Sequence, residues 1–199
     1  MRSPLFLLLA SLLLVSCAPI QPGTGTGTSS SSFFEDRSEG SSASSSSGAL
    51  TSMYTGYGYS IRYPDGWTVK TKDALITENY EANGTSFNAP LETGSKLREA
   101  KMHVAVQDSC PGSIMIMSSG EQIDGALFIT RSWDGAAAGN RYEGKTWAGT
   151  IDGKCYLLTA YLHSCNLGPD CGPMYTKEWD KAAYMKTFEE IVKTFRLQP

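Results

Sequence analysis

Cysteine and histidine are the residues of this chain whose chemistry reaches beyond packing, and they are few. Five cysteines and two histidines occur in 199 residues, and one stretch, YLHSCNLGPDC from Tyr161 to Cys171, gathers His163, Ser164, Cys165 and Cys171. Three chemistries compete for it. A nucleophilic thiol must be free and its pKa lowered by a neighbour. A structural zinc needs four ligands at loop-type spacings, and Cys-x5-Cys with one flanking histidine is a poor set. A disulfide needs an oxidising compartment. The compartment therefore decides.

The N-terminus, MRSPLFLLLASLLLVSCAPI, gives that compartment. Arg2 precedes an apolar run of 11 residues, Leu5 to Val15, too short for the ~20 residues of a spanning helix and of the length of a signal-peptide core. The run ends in Leu14-Val15-Ser16-Cys17, which resembles the bacterial lipobox. That resemblance implies diacylglycerol on the Cys17 thiol and cleavage after residue 16. Two or three acyl chains hold a protein stably on a membrane where one does not. Ala18 resembles an outer-membrane sorting residue in a two-membrane bacterium; in a single-membrane host the protein would sit on the outer face of the cytoplasmic membrane.

Residues 17–52 then read as a lipidated cysteine and a tether. Between Ala18 and Ser52, 21 of 35 residues are Ser, Gly or Thr, too few apolar groups to offset the entropy of ordering. Such a tether has a root-mean-square reach of roughly 30–35 Å. Phe33-Phe34 is its one apolar pair. Loss of residues 1–16 removes one of 17 basic side chains, Arg2, and none of the 20 acidic ones, leaving a formal −4. That balance argues against nucleic acid or anionic lipid as a partner.

Residues 53–199 are long enough for a single domain with a real core. TyrSerIleArgTyrPro (59–64) alternates, Pro64-Asp65-Gly66 makes a turn, and Trp67-Thr68-Val69 opens another strand. Leu97 to Asp108, with Met102, Val104 and Val106 alternating, reads as a half-buried strand. Ile114 to Met117 is a short apolar run. Leu127 to Trp133, Tyr142 to Thr150 and Cys155 to His163 read as strands, the last two joined by a hairpin turn at Ile151-Asp152-Gly153-Lys154. From Lys177 to Phe195, Trp179, Ala182, Met185, Phe188, Val192 and Phe195 recur at helical spacing. They predict an amphipathic helix of about 28 Å, with Thr176 as N-cap and Glu178 and Asp180 in its first turn. The expected class is α+β: a mostly antiparallel sheet with a packed C-terminal helix.

With an exported domain, Cys110, Cys155, Cys165 and Cys171 are most simply two disulfides. If Cys155 to His163 is one strand, Cys155 and Cys165 lie on the order of 30 Å apart, beyond the ~7 Å between Cα atoms that a disulfide allows. Cys155–Cys171 would need a short loop to run back along the whole strand. The spacing therefore favours Cys165–Cys171 and Cys110–Cys155, contributing roughly 2.5 and 4 kcal/mol by loop closure. His163-Ser164-Cys165 is faintly similar to the L,D-transpeptidase cysteine motif, but Ser164 stands where that motif has glycine. No Gly-x-Ser-x-Gly, His-Glu-x-x-His or phosphate-cradling loop occurs. His103 and His163 fall in expected strands. Asp65, Asp124, Asp134, Asp152 and Asp170 sit beside Gly or Pro, as turn acids do. The reading assigns no catalytic residue, no metal ligand and no cofactor.

Two segments carry a family resemblance. Tyr59-Ser60-Ile61-Arg62-Tyr63-Pro64-Asp65-Gly66-Trp67 resembles the opening strand and turn of PsbP-like domains, and Phe188-Glu189-Glu190-Ile191-Val192-Lys193-Thr194-Phe195-Arg196-Leu197 resembles their closing segment. The resemblance implies a PsbP-like α/β sandwich. Both signatures are structural, and a fold shared by photosystem subunits, an import factor and bacterial lipoproteins transfers no activity. The leading expectation is a membrane-anchored lipoprotein that presents a noncatalytic binding or assembly domain to an envelope protein or glycan. The alternatives are an envelope hydrolase or transpeptidase, and a solute-binding lipoprotein with Tyr54, Tyr57, Tyr59 and Trp67 lining an aromatic pocket.

Overall fold

A computed structural model describes residues 48–77, 79–114, 119–165 and 171–199. The signal segment, Cys17, most of the tether with Phe33-Phe34, and the Met115–Met117 half of the short apolar run lie outside the described residues. So do the residues between Cys165 and Cys171.

Among the described residues ten strands and one helix follow in order: β1 (Ser52–Gly56), β2 (Tyr59–Tyr63), β3 (Thr68–Ile76), β4 (Glu81–Asn88), β5 (Leu97–Gln107), β6 (Ser119–Ile123), β7 (Ala126–Ala137), β8 (Asn140–Ile151), β9 (Lys154–Cys165), α1 (Lys181–Lys193) and β10 (Arg196–Leu197). Seven form one sheet in the order β3-β4-β5-β9-β8-β7-β6, and three form a small sheet in the order β1-β2-β10. Every strand pair is antiparallel. The expected class, α+β with a mostly antiparallel sheet and a C-terminal helix, is the architecture found.

Two-residue hairpin turns set the registers. Asp152-Gly153, Ala138-Gly139, Asp124-Gly125 and Tyr57-Gly58 all have both residues at positive φ, the primed geometry whose twist matches the strands it joins. The Pro64 turn closes through Trp67 N–H donating to Pro64 O at 3.4 Å, with Gly66 at φ 81°. Proline is the first residue of this turn, and Asp65 takes the position where its fixed φ was expected.

The main core lies between the large sheet and the layer made by α1 and the small sheet. Phe87, Met102, Val104, Phe128, Trp147, Leu158, Ala160 and Leu162 face Tyr59, Ile61, Phe188, Ile191, Val192 and Phe195 across it. Trp67 is buried with its indole edge-on to Phe188, 5.8 Å between centroids. Leu50, on the tether side of the boundary drawn at Met53, also packs against this core.

The opposite face of the large sheet is buried as well. Lys101, His103 and Ala105 of β5 and Leu157, Thr159 and Tyr161 of β9 are all sealed. Tyr80, Ile114 and the Cys110–Cys155 bridge cover one part. Leu75 of β3 clusters with Tyr161 of β9 and Trp133 of β7 over another, so the sheet curls on this side. The half-buried strand expected at Leu97–Asp108 is therefore buried on both faces.

The helix begins later than its periodicity suggested. Lys177 is held in a parallel bridge with Ser95: Lys96 N–H donates to its carbonyl at 2.9 Å, and its own N–H donates to Gly94 O at 3.0 Å. With those groups engaged, Thr176 cannot cap a helix. Asp180 does so instead, its Oδ1 accepting from Ala183 N–H at 3.0 Å. Among the described residues no helix is long and apolar enough to cross a membrane.

Candidate functional site

The cysteines occupy the pairing that strand length favoured. Cys110 and Cys155 stand 5.1 Å apart between Cα atoms, and Cys165 and Cys171 5.3 Å, each pair disulfide-bonded. Cys165 thus carries no free thiol. Its neighbour His163 stacks on Tyr142 at 4.7 Å, with its Nε2 bonded to Asn140 Oδ1 at 3.0 Å. Burial lowers its pKa, partly opposed by the Glu99 charge.

His103 is fully buried, with Nε2 bonded to Asp73 O at 3.2 Å and Nδ1 without a partner. Burial pulls its pKa down to about 4, so the ring is neutral. Beside it, Asp73 accepts from Ser86 Oγ at 2.7 Å and pairs with Lys70 at 2.5 Å and Lys101 at 3.7 Å; Lys101 also pairs with Glu99 at 2.8 Å. Burial would push the Asp73 carboxyl up, but these partners outweigh it and hold the carboxyl below the ordinary value. The cluster is closed on itself. Its charges are paired with one another, and the unpartnered His103 Nδ1 is sealed from solvent.

The turn acids divide. Asp124 and Asp152 lie in hairpin turns at positive φ, and Asp65 accepts from Ser52 Oγ at 2.6 Å. Asp134 was expected in a turn but lies inside β7, opposite Glu143. Glu143 is buried and paired with Arg141 and Lys181. Asp170 lies outside the described residues. Among the described residues no group of three or more His, Cys, Asp or Glu is arranged to hold a metal ion.

Of the four aromatic side chains expected to line a pocket, Trp67 is core and Tyr54 packs edge-on to Phe87 at 5.5 Å. Tyr57 and Tyr59 do line one. A cavity of about 440 Å³ opens at the end of the sandwich, where the β1–β2 turn meets the middle of the large sheet. That is within the ~300–1,000 Å³ of small-molecule sites. Val104 and Val106 of β5 and Gly84 of β4 make its floor, Tyr57 and Tyr59 one wall, and Lys72 and Asn83 the polar part of its rim.

Lys72 reaches this site through a defect in the ladder. Thr71 pairs with Thr85 and Asp73 with Gly84, so Lys72 is an extra, bulged residue, at φ 56°. Bulges re-aim side chains. A non-glycine residue in the left-handed region costs about 1–2 kcal/mol. Among the described residues the Lys72 side chain has no ion pair or hydrogen bond, in contrast to Lys70 and Lys101, which pair with Asp73. Nothing in the alternating polar run TVKTKDA announces a bulge, so the sequence reading missed this residue.

Tyr59 is the second unusual group. It is 1% exposed, its ring stacks on Phe195 at 5.6 Å, and its hydroxyl has no hydrogen-bond partner. Burial pushes that hydroxyl's pKa up, opposed by the nearby Thr85 hydroxyl. Thr85 stands outside bonding geometry to it and donates to Tyr54 Oη at 3.4 Å. A buried hydroxyl without a partner costs ~1–3 kcal/mol, and this one is sealed from solvent while its residue lines the cavity.

A second cavity, about 380 Å³, lies on the curled face between β3 and β7, lined by Ile76, Trp133, Tyr142, Tyr161 and the backbone of Gly135–Ala137. The Trp133 indole N–H is already given to Thr146 Oγ1 at 3.2 Å. A third, of about 600 Å³, lies beside α1; it is lined by acids, Glu121 and Glu189 pairing with Lys145 and Asp124 with Arg196, and by Lys193, which has no ion pair among the described residues. Of these three, the cavity at Lys72 joins a cation without an ion pair among the described residues to a lining that holds no acid. No family model matches the chain, and no curated protein is significantly similar to it in sequence.

Proposed function

We propose that this chain is a lipid-anchored lipoprotein of a bacterial envelope whose PsbP-like domain binds its ligand or partner without transforming it. The anchor rests on the order of charge, apolar core, small residue and Cys17. The family reading draws support from the parts its two signatures play: Trp67 and Phe195 close the core, and the final strand pairs with β2. The observation that carries the function is the cavity at Lys72. Among the described residues it offers an apolar floor, one cation without an ion pair and the amide of Asn83, with no acid, imidazole or thiol in its lining. Catalysis by Cys165 and His163 is disfavoured because that sulfur is bonded to Cys171.

Metabolic labelling with a fatty-acid analogue tests the anchor: the native chain should take up label and Cys17→Ala should not. Undiminished label in the variant would overturn the assignment. Native mass spectrometry of protein captured from its own envelope tests the binding. A bound species recovered with its mass unchanged is expected, and turnover of that species would replace the binding reading with an enzymatic one.

A further inference from the structure

We infer that the cavity between the small sheet and β3–β5 takes a single-headed organic acid with an apolar chain or ring, its carboxylate on Lys72 and its body on Val104 and Val106. This rests on the binding reading above and names the ligand class for that site. Three independent features converge on it. The floor is hydrocarbon and glycine backbone, which a sugar with hydroxyls around its rim would leave unsatisfied. The charged group at the rim is one ammonium, held there by a bulge in a backbone conformation that lysine rarely adopts. The Tyr59 ring adds an apolar wall with its hydroxyl sealed from solvent, which leaves Lys72 as the group that meets the carboxylate.

Charge sign follows from the neighbours. Asp73 is adjacent in sequence, but the bulge places it with Ser86 and Lys101 in the network on the opposite face. No carboxylate lines the cavity, so a cationic head would meet only another cation. A monoanion would neutralise Lys72, and its apolar body would fill the space that water occupies at low return. Gly84 lets β4 approach β5 closely beneath the floor: a Cβ there would come 2.1 Å from Val104 O and 2.9 Å from His103 Cε1.

The test uses the mature polypeptide from Ala18 onward, exported without lipidation, and three probes of one chain length: decanoate, decanol and decyltrimethylammonium, titrated calorimetrically below their aggregation concentrations. Decanoate should bind tightest, decanol at least several-fold more weakly, and the ammonium not measurably. Lys72→Met should weaken decanoate about tenfold or more and leave decanol unchanged, while Lys72→Arg should retain most of the affinity. Lys72→Gly should lose decanoate binding and at the same time raise the melting temperature, because glycine relieves the positive φ. That combination separates a lost ligand from a damaged fold. Equal binding of all three probes, or decanoate affinity untouched in Lys72→Met, would overturn the acid assignment. Failure of all three to bind would overturn the cavity as the site, whereas binding as such is read independently by the envelope capture.

Discussion

A neutral imidazole sealed inside a sheet makes folding sensitive to acid in a window that few other groups share. His103 lies on β5 among Asp73, Ser86, Lys101 and Gly84, with its pKa lowered from 6.5 to about 4, first by burial and then by the Lys101 charge. The unfolded chain therefore binds a proton between those values that the folded chain refuses. Stability from this group is fully present above pH 6.5 and falls as pH drops toward 4, by roughly 2–3 kcal/mol at pH 4.5. Asp73, whose pKa is lowered below 3.8, has the opposite habit of charge: its contribution is present above its ordinary value and is lost only in stronger acid. Urea unfolding at pH 7 and pH 4.5 should show the loss in the native chain. His103→Gln, which keeps a donor for Asp73 O, should flatten the difference whatever it does to stability at pH 7. An unchanged slope in that variant would refute the role. Both histidines were legible as strand residues; Lys72 was not legible as a bulge, because periodicity places side chains and is blind to an inserted residue.

At the level of elements, the junction of α1 with the small sheet depends on one hydroxyl. Thr194 Oγ1 accepts from Arg62 N–H at 2.8 Å on the edge of β2 and donates to Ile191 O at 2.7 Å at the end of the helix. It ties helix to sheet across a sequence separation of 132 residues. Thr194→Val, nearly the same shape, should cost about 1 kcal/mol in chemical denaturation, with the helical circular dichroism retained; a change under a few tenths would show the tie to be dispensable. The long strands β7, β8 and β9 could be read from sequence because runs of β-branched, aromatic and apolar residues are bounded by turn signals such as Asp152-Gly153. β4 could not. Its EANGTSFN looks like turn sequence, yet small residues are required there, where His103 and the β5 backbone approach Gly84. The helix start was misplaced for a related reason: the Ser95–Lys177 bridge is a tertiary contact with no local signal.

For the molecule as a whole, the two disulfides act on different scales. Cys110–Cys155 spans 45 residues and joins the end of β5 to the start of β9, and Cys165–Cys171 spans six. Replacing Cys110 and Cys155 together by serine should cost about 4 kcal/mol, against ~2.5 for Cys165 with Cys171, measured by denaturant unfolding of each double variant. The reverse order would mean that the short loop carries more of the fold than its length implies. The cysteine pairing could be reasoned from strand length, whereas the curl that buries both faces of β5 depends on β3 reaching toward β7 and left no trace in composition. The small sheet has a consequence in time. Its middle strand, β2, appears early in the chain, but one of its two flanks is β10, which follows all of the large sheet and α1. Throughout synthesis and any passage across a membrane, β2 exposes an unsatisfied edge and the core lacks Phe188 and Phe195. A chain so arranged stays threadable until its final segment arrives, then closes in one late, long-range step, and a chaperone that shields a strand edge has its natural customer in that interval.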